Sequence, residues 1–223
     1  MEGREGAGFI ISHAFVVLDG SGSMSETERA SGKPKHRAVA EMVQKLIDTL
    51  HDDPQFDSTY LTVMCYDTRN YRDIRLEEYD VQTNTHYLSS DYDGWDPIIG
   101  HGQQTPIGDA MSFARECAES WIEQGDGLEK RRAVIYLLSD GMRTPGSDGH
   151  DPMHEKSLIE AYNGREPSKG RIRIATVGYY QGGADETEGR TLLEQLATNT
   201  GAYFESSDAT KIVDYVKNTI LQG

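Results

Sequence analysis

Cysteine is scarce in this chain, basic charge is in deficit, and long apolar runs are missing. Each shortage narrows what the protein can be. Only two of the 223 residues are cysteine, Cys65 in a strand-like run and Cys117 in a helix-like one. That excludes a disulfide framework and leaves two free thiols expected to pack as small hydrophobes. Lysine and arginine number 22 against 37 acidic residues, a net charge of -15, and no long Lys/Arg cluster interrupts the acidic balance. Non-specific attraction to nucleic acid or to an anionic membrane surface is therefore disfavoured. The longest apolar run, Ala133 to Leu138, falls far short of a membrane span, and no basic-then-apolar leader precedes Phe9. The expected location is the cytoplasm. Phosphate-binding fingerprints are missing too: no Gly-Lys-Ser/Thr follows the glycine-containing loop at residues 19–23, and the third glycine of a dinucleotide loop is absent.

What is present centres on Phe15-Val16-Val17-Leu18-Asp19-Gly20-Ser21-Gly22-Ser23-Met24. Four consecutive large apolar residues, two of them β-branched, read as a strand buried on both faces, as in a parallel sheet. Asp19 then falls at the carboxyl end of that strand, the edge where open α/β sheets bind ligands. Gly20 and Gly22 allow the backbone to turn between the oxygens of Asp19, Ser21 and Ser23. A polar turn explains this loop on its own equally well as a cup of metal ligands does.

Along the chain, apolar strands alternate with amphipathic helices. Residues 1–12 form a lead-in containing Phe9-Ile10-Ile11, and Ser25 to Lys35 reads as an exposed charged loop on the same rim as Asp19. From Pro34 the residues Val39, Met42, Val43, Leu46, Ile47 and Leu50 line one helical face, which Asp52-Asp53-Pro54 ends. Tyr60 to Tyr66 is a second buried strand closed by Asp67, Tyr71 to Tyr79 an antiparallel edge strand, and Asp80 to Gln104 a long loop without periodicity. Thr105 suits an N-cap and Pro106 the first turn of a helix carrying Ile107, Ala110, Met111, Ala114, Ala118, Trp121 and Ile122. Gln124 to Lys130 is a charged connection, Ala133 to Leu138 another buried strand, and Asp140-Gly141 follows it as Asp19-Gly20 follows the first. A helix at His154 to Tyr162, a strand at Arg171 to Gly178, a helix at Glu186 to Ala197, a short strand at Ala202 to Phe204 and a closing helix at Ala209 to Leu221 complete the pattern. The alternation predicts a doubly wound, mostly parallel α/β sheet flanked by helices, Rossmann-like, with one antiparallel edge strand. With no repeat, linker or low-complexity segment, residues 1–223 read as one domain.

Three segments then point to one rim: Asp19-Gly-Ser21-Gly-Ser23, Gly102-Gln-Gln-Thr105-Pro106-Ile-Gly108-Asp109-Ala110, and Leu138-Ser139-Asp140-Gly141. This ordered set resembles the von Willebrand factor type A (VWA) domain family and its metal-ion-dependent adhesion site. The resemblance runs from Ala14 to the C-terminus and includes Leu192-x-x-x-Leu196-Ala197-x-x-x-Gly201-x-Tyr203-Phe204. It implies that Ser21, Ser23 and, in one conformation, Thr105 bind a divalent ion directly, with Asp19 and Asp140 partly through water. It also implies that a partner protein's Asp or Glu completes the coordination, and that metal binding can couple to the last helix, here the segment after Ala209.

The residues themselves offer hard oxygen donors and no thiol or imidazole at fixed spacing, which selects Mg²⁺, Mn²⁺ or Ca²⁺ over zinc. Taken singly, Thr105 is explained as a helix cap and Asp19 and Asp140 as turn residues. Taken together, two carboxylates after two buried strands are costly without a cation between them. Met24, Arg69, Trp95 and Arg143 are the expected partner-binding rim, and Asp91-Tyr92-Asp93-Gly94-Trp95-Asp96 reads equally as an acidic aromatic contact loop or as a calcium loop without the ligand order and distal Glu of an EF-hand. His150 and His154 are separated by Pro152 and read as solvated. A metal-binding, non-enzymatic interaction module is the leading expectation. The alternatives are a metal-dependent phosphoester hydrolase, for which no general base stands at a defensible spacing, and a subunit of an ATPase- or kinase-linked stress-response assembly.

Overall fold

The computed structural model describes residues 9–27, 32–56, 58–69, 73–80, 105–125, 129–140, 149–165, 170–180, 187–206 and 208–222. Its centre is a sheet of six strands: β1 (Phe9–Asp19), β2 (Thr59–Arg69), β3 (Asp73–Asp80), β4 (Glu129–Ser139), β5 (Gly170–Gly178) and β6 (Tyr203–Glu205). Their spatial order is β3-β2-β1-β4-β5-β6. β2, β1, β4, β5 and β6 run parallel, and β3 pairs antiparallel with β2. The helices are α1 (Lys35–Asp52), α2 (Ile107–Glu123), α3 (Pro152–Arg165), α4 (Thr187–Leu196) and α5 (Ala209–Gln222). Among the described residues, no helix is long and apolar enough to cross a membrane.

Period-two alternation along β1 divides the core. Ala14, Val16 and Leu18 join Val39, Met42, Val43 and Leu46 of α1 and Ile212, Val213 and Val216 of α5 on one face. Phe15 and Val17 join Ile107, Ala110, Met111 and Ala114 of α2, Ile159 of α3 and Leu193 and Leu196 of α4 on the other. A strand whose successive side chains are all apolar has to bury both faces, and helices on both sides are how the fold does so. The doubly wound architecture expected from the alternation is present. Because the chain builds outward from β1 to β2 and β3 and then returns to β4 on the other side of β1, the strand order reverses between β1 and β4. Their carboxyl ends form the crevice where such sheets bind ligands.

Several boundaries differ from expectation. Phe9-Ile10-Ile11 is the start of β1, and Glu129 to Arg132 is the start of β4; the two segments pair with each other, Phe9 with Glu129 through Ser12 with Arg132. Neither has a clear pattern alone. Arg131 is accommodated because its guanidinium reaches over the Trp121 ring at 5.0 Å and donates to the Trp121 carbonyl at 2.7 Å. β2 extends past Asp67 to Arg69. Both cysteines are free thiols, Cys65 buried and Cys117 half-buried.

β6 covers only the upper part of β5, pairing with Thr176 to Gly178. Lower down, side chains take over the ladder. Asn163 of α3 donates to the Ile172 carbonyl and accepts from the Ile172 amide, both at 2.8 Å. Thr198 accepts from the Ile174 amide through its hydroxyl at 2.7 Å and donates its own amide to the Ile174 carbonyl at 3.0 Å.

Candidate metal centre

The oxygen cluster forms at the β1/β4 crevice. Leu18 pairs with Leu138, so Asp19 at the end of β1 stands beside Ser139 at the end of β4, and Asp140 follows directly. The loop after β1 is fixed to its neighbour by Gly20, whose amide donates to the Tyr66 carbonyl at 2.8 Å. Asp19 is fully buried, and each of its oxygens is held: Oδ1 accepts from the Ser21 amide at 2.8 Å and Oδ2 from the Ser139 hydroxyl at 2.5 Å. Gly22–Ser25 winds as a short 3-10 turn, which brings the Ser21 and Ser23 hydroxyl oxygens to 3.0 Å from each other. Ser21, Thr105 and Asp140 are buried as well.

Electrostatics mark the pair of carboxylates. Burial first, and then the neighbouring Asp140 carboxylate, raise the Asp19 pKa to about 6, against the opposing pull of the Ser139 and Ser21 hydrogen bonds. A cationic group stands in the same place. Lys35, the first residue of α1, is only 3% exposed, and its ammonium lies 3.5 Å from Asp140 Oδ2 and 3.1 Å from Glu26 Oε2. The loop expected to be exposed between Ser25 and Lys35 therefore ends inside the site. Its two limbs are held by a bridge between Thr27 and Pro34 and by the Lys35 amide donating to the Glu26 carbonyl at 2.9 Å.

Thr105 leads into α2 but does not cap it. The N-cap position falls at Pro106, and the helix begins at Ile107, one residue later than the Thr-Pro pair suggested, because Pro106, with a ψ of 69°, sits in an inverse γ-turn in which the Ile107 amide donates to the Thr105 carbonyl at 3.0 Å. The start of α2 is anchored to the segment after Asp140 from the far end. Gly149 donates its amide to Asp109 Oδ2 at 3.1 Å, and the His150 carbonyl crowds Gly108 so closely that a Cβ there would lie 1.8 Å from its oxygen. Glycine is required at 108 by this approach, not by its own dihedral angles. Behind the contact, the buried Glu155 accepts from Arg115 Nε at 2.8 Å and pairs with His150 Nδ1 at 3.2 Å. Pro152 opens α3, with Asp151 as its cap accepting from the Met153 amide at 2.9 Å, so His150 and His154 do not share a helix.

Of the expected rim, Met24 is a correction. It is 1% exposed and packs with α1 in the core, because the 3-10 turn folds its side chain inward, so it offers no surface to a partner. Arg69 closes β2, while Trp95 and Arg143 lie outside the described residues, as do the long segment 81–104 and its acidic aromatic stretch. Sequence reasoning missed Lys35 and Ser139. Ser139 was visible as the residue between the apolar run and Asp140; nothing in the charged loop before α1 marked Lys35 as the lysine that turns inward.

The donor set suits a hard divalent ion. Among the described residues no three His, Cys, Asp or Glu side chains are grouped so that they could hold a metal ion by themselves, so the cluster rests on two carboxylates supplemented by hydroxyls. The Ser21 and Ser23 hydroxyls share a hydrogen bond of 3.0 Å, which brings both oxygens close enough to face one ion.

Comparison with known proteins agrees with this fold. A family model described as von Willebrand factor type A domain matches residues 15–218. No curated protein sequence matches the chain. Among solved structures, proximal thread matrix protein 1 from the mussel byssus is 18% identical with a TM-score of 0.59, the match covering 96% of this chain and 48% of that one. The pilus adhesin SpaC from Lactobacillus rhamnosus GG is 12% identical with a TM-score of 0.66, covering 96% and 30%. An aerotolerance-related membrane protein from Bacteroides fragilis is 14% identical with a TM-score of 0.55, covering 94% and 98%. At these identities the likeness is one of fold, and this chain spans about half the length of the byssus protein.

Proposed function

The chain belongs to the von Willebrand factor type A domain family, and from that premise we propose that its carboxyl-edge oxygen cluster is an intact metal-ion-dependent adhesion site that captures a carboxylate of a protein partner. Domains of this family generally mediate protein–protein interaction and can depend on a metal to do so. The observation that carries the reading here is the pairing of two buried carboxylates, Asp19 and Asp140, at the carboxyl ends of adjacent strands with serine hydroxyls 3.0 Å apart beside them.

In this reading Ser21, Ser23 and Thr105 offer hydroxyl oxygens to the ion, and Asp19 and Asp140 supply the negative charge that balances it. Both Asp19 oxygens already accept a hydrogen bond from the chain, which suits a carboxylate that acts mainly through water. When bound, a divalent ion of the size of Mg²⁺ or Mn²⁺ supplies a coordination position that an incoming Asp or Glu completes. Ser139 positions Asp19, and the Asp109–Gly149 contact holds the start of α2 against the segment that follows Asp140. No nucleophile or general base is needed for such a task, so the proposed role is binding without turnover.

Mg²⁺ or Mn²⁺ is expected to raise the melting temperature of the wild-type protein and to leave Asp19→Ala unmoved, while circular dichroism shows both to be folded. Equal metal-induced shifts in the two proteins would refute the assignment. Retention of a partner in Mg²⁺ and its release by a chelator is the corresponding test of the carboxylate bridge.

A further inference from the structure

Lys35 is the only buried lysine or arginine among the described residues, and it is buried against a residue of the proposed metal centre. A buried ammonium has to find acceptors. This one has two of unlike setting: Asp140 inside the crevice, and Glu26, whose side chain is 66% exposed at its mouth. Its stem runs from the first residue of α1, and its amide is fastened to the Glu26 carbonyl, so the head group is confined to the space between the two carboxylates.

We propose that Lys35 is a tethered monovalent stand-in for the divalent ion: it neutralises Asp140 when the centre is empty and withdraws onto Glu26 when a metal takes that carboxylate. The inference rests on the metal-centre reading above and deepens it, because it makes the affinity of the centre a property of the loop between Ser25 and Lys35. An ammonium and a divalent cation compete for the same buried oxygen, so the lysine lowers metal affinity. Glu26, by drawing the ammonium outward, restores part of it. The chain thus carries both the competitor and the residue that relieves the competition, and substitutions at the two positions have opposite signs.

The test is a titration with Mn²⁺ at fixed ionic strength, reading the free ion by electron paramagnetic resonance, on wild type, Lys35→Met, Glu26→Gln and the double variant. Lys35→Met keeps the length of the stem and is expected to tighten Mn²⁺ binding about tenfold, or about 1.4 kcal/mol. Glu26→Gln is an exposed, isosteric change that leaves the fold intact and is expected to weaken binding about threefold. In the Lys35→Met background, Glu26→Gln is expected to change nothing, because Glu26 acts through the lysine. A through-space effect of the exposed carboxylate would instead add in full.

Binding by Lys35→Met that is no tighter than wild type overturns the inference while leaving the metal centre standing. So does a Glu26→Gln effect that persists in the double variant. Binding by Lys35→Met with none by wild type supports both readings. Absence of Mn²⁺ binding from all four proteins overturns both, and should Lys35→Met fail to fold, a Glu26→Gln protein that binds as tightly as wild type overturns the inference by itself.

Discussion

Replacing Asp19 by Asn should make the metal-free protein more stable and the metal-loaded protein less stable, a reversal that a merely structural aspartate would not produce. The side chain is fully buried, and its pKa rises from 3.8 to about 6 because of burial first and Asp140 second. At pH 7.5 the carboxylate is ionised in both folded and unfolded chains, so that gap of about 2 pH units is a folding cost of about 3 kcal/mol. Asn removes the charge and keeps the shape. Its Oδ1 can still accept from the Ser21 amide, and its NH₂ can donate to the Ser139 hydroxyl, which turns to accept. The charge-assisted strength of the original bonds is already contained in the raised pKa, but the Ser139 hydroxyl proton loses the acceptor that Asp19 gave it, which returns about 1–2 kcal/mol. The net gain is about 1–2 kcal/mol, or about 2–8 °C in melting temperature for a chain of this size. With Mg²⁺ at about 100 times its dissociation constant, the wild type gains about 2.7 kcal/mol by mass action and the variant gains nothing. Differential scanning fluorimetry at pH 7.5 in chelator and in Mg²⁺ is sufficient. The reasoning fails if Asp19→Asn melts below wild type in chelator, or if the two rise together in metal.

Two further outcomes follow from the same geometry. In chelator, the wild type should lose stability relative to Asp19→Asn as pH rises from about 4 to about 6. Folded Asp19 keeps its proton up to about 6 while the unfolded chain releases it near 3.8, so the folded state binds more protons in that window and its advantage drains away with rising pH. Urea unfolding of the two proteins across that range checks the sign. Gly108→Ala, which intrinsic helix propensity would favour by about 1 kcal/mol, should instead destabilise by about 1–3 kcal/mol, because its Cβ meets the His150 carbonyl oxygen at 1.8 Å. A thermal melt at or above wild type would contradict it.

The buried strands and amphipathic helices were legible because their pattern is local. Val16 to Leu18 and Ala133 to Leu138 carry continuous apolar runs, and α1 repeats its apolar face over four turns, so side-chain chemistry alone set their type. The site was legible to the extent that oxygen-bearing residues followed those runs directly, as Asp19 follows Leu18 and Ser139-Asp140 follow Leu138. What escaped depends on partners distant in sequence. Phe9 to Ser12 and Glu129 to Arg132 become strands because they pair with one another. Met24 turns inward because a 3-10 turn rotates it toward α1, and Lys35 does so because Asp140, 105 residues away, draws its charge. Thr105 lost its role as a cap to the backbone angle of the proline beside it, which composition does not reveal.

The lower outer edge of β5 carries a wider implication. An open row of amide and carbonyl groups is an invitation for a second polypeptide to lie alongside, and β6 is too short to decline it along the whole length. Asn163 from one side and Thr198 from the other answer both groups of Ile172 and Ile174 before any visitor arrives. Two small polar residues thereby serve as the missing neighbour and keep this flank of the sheet closed to a further strand.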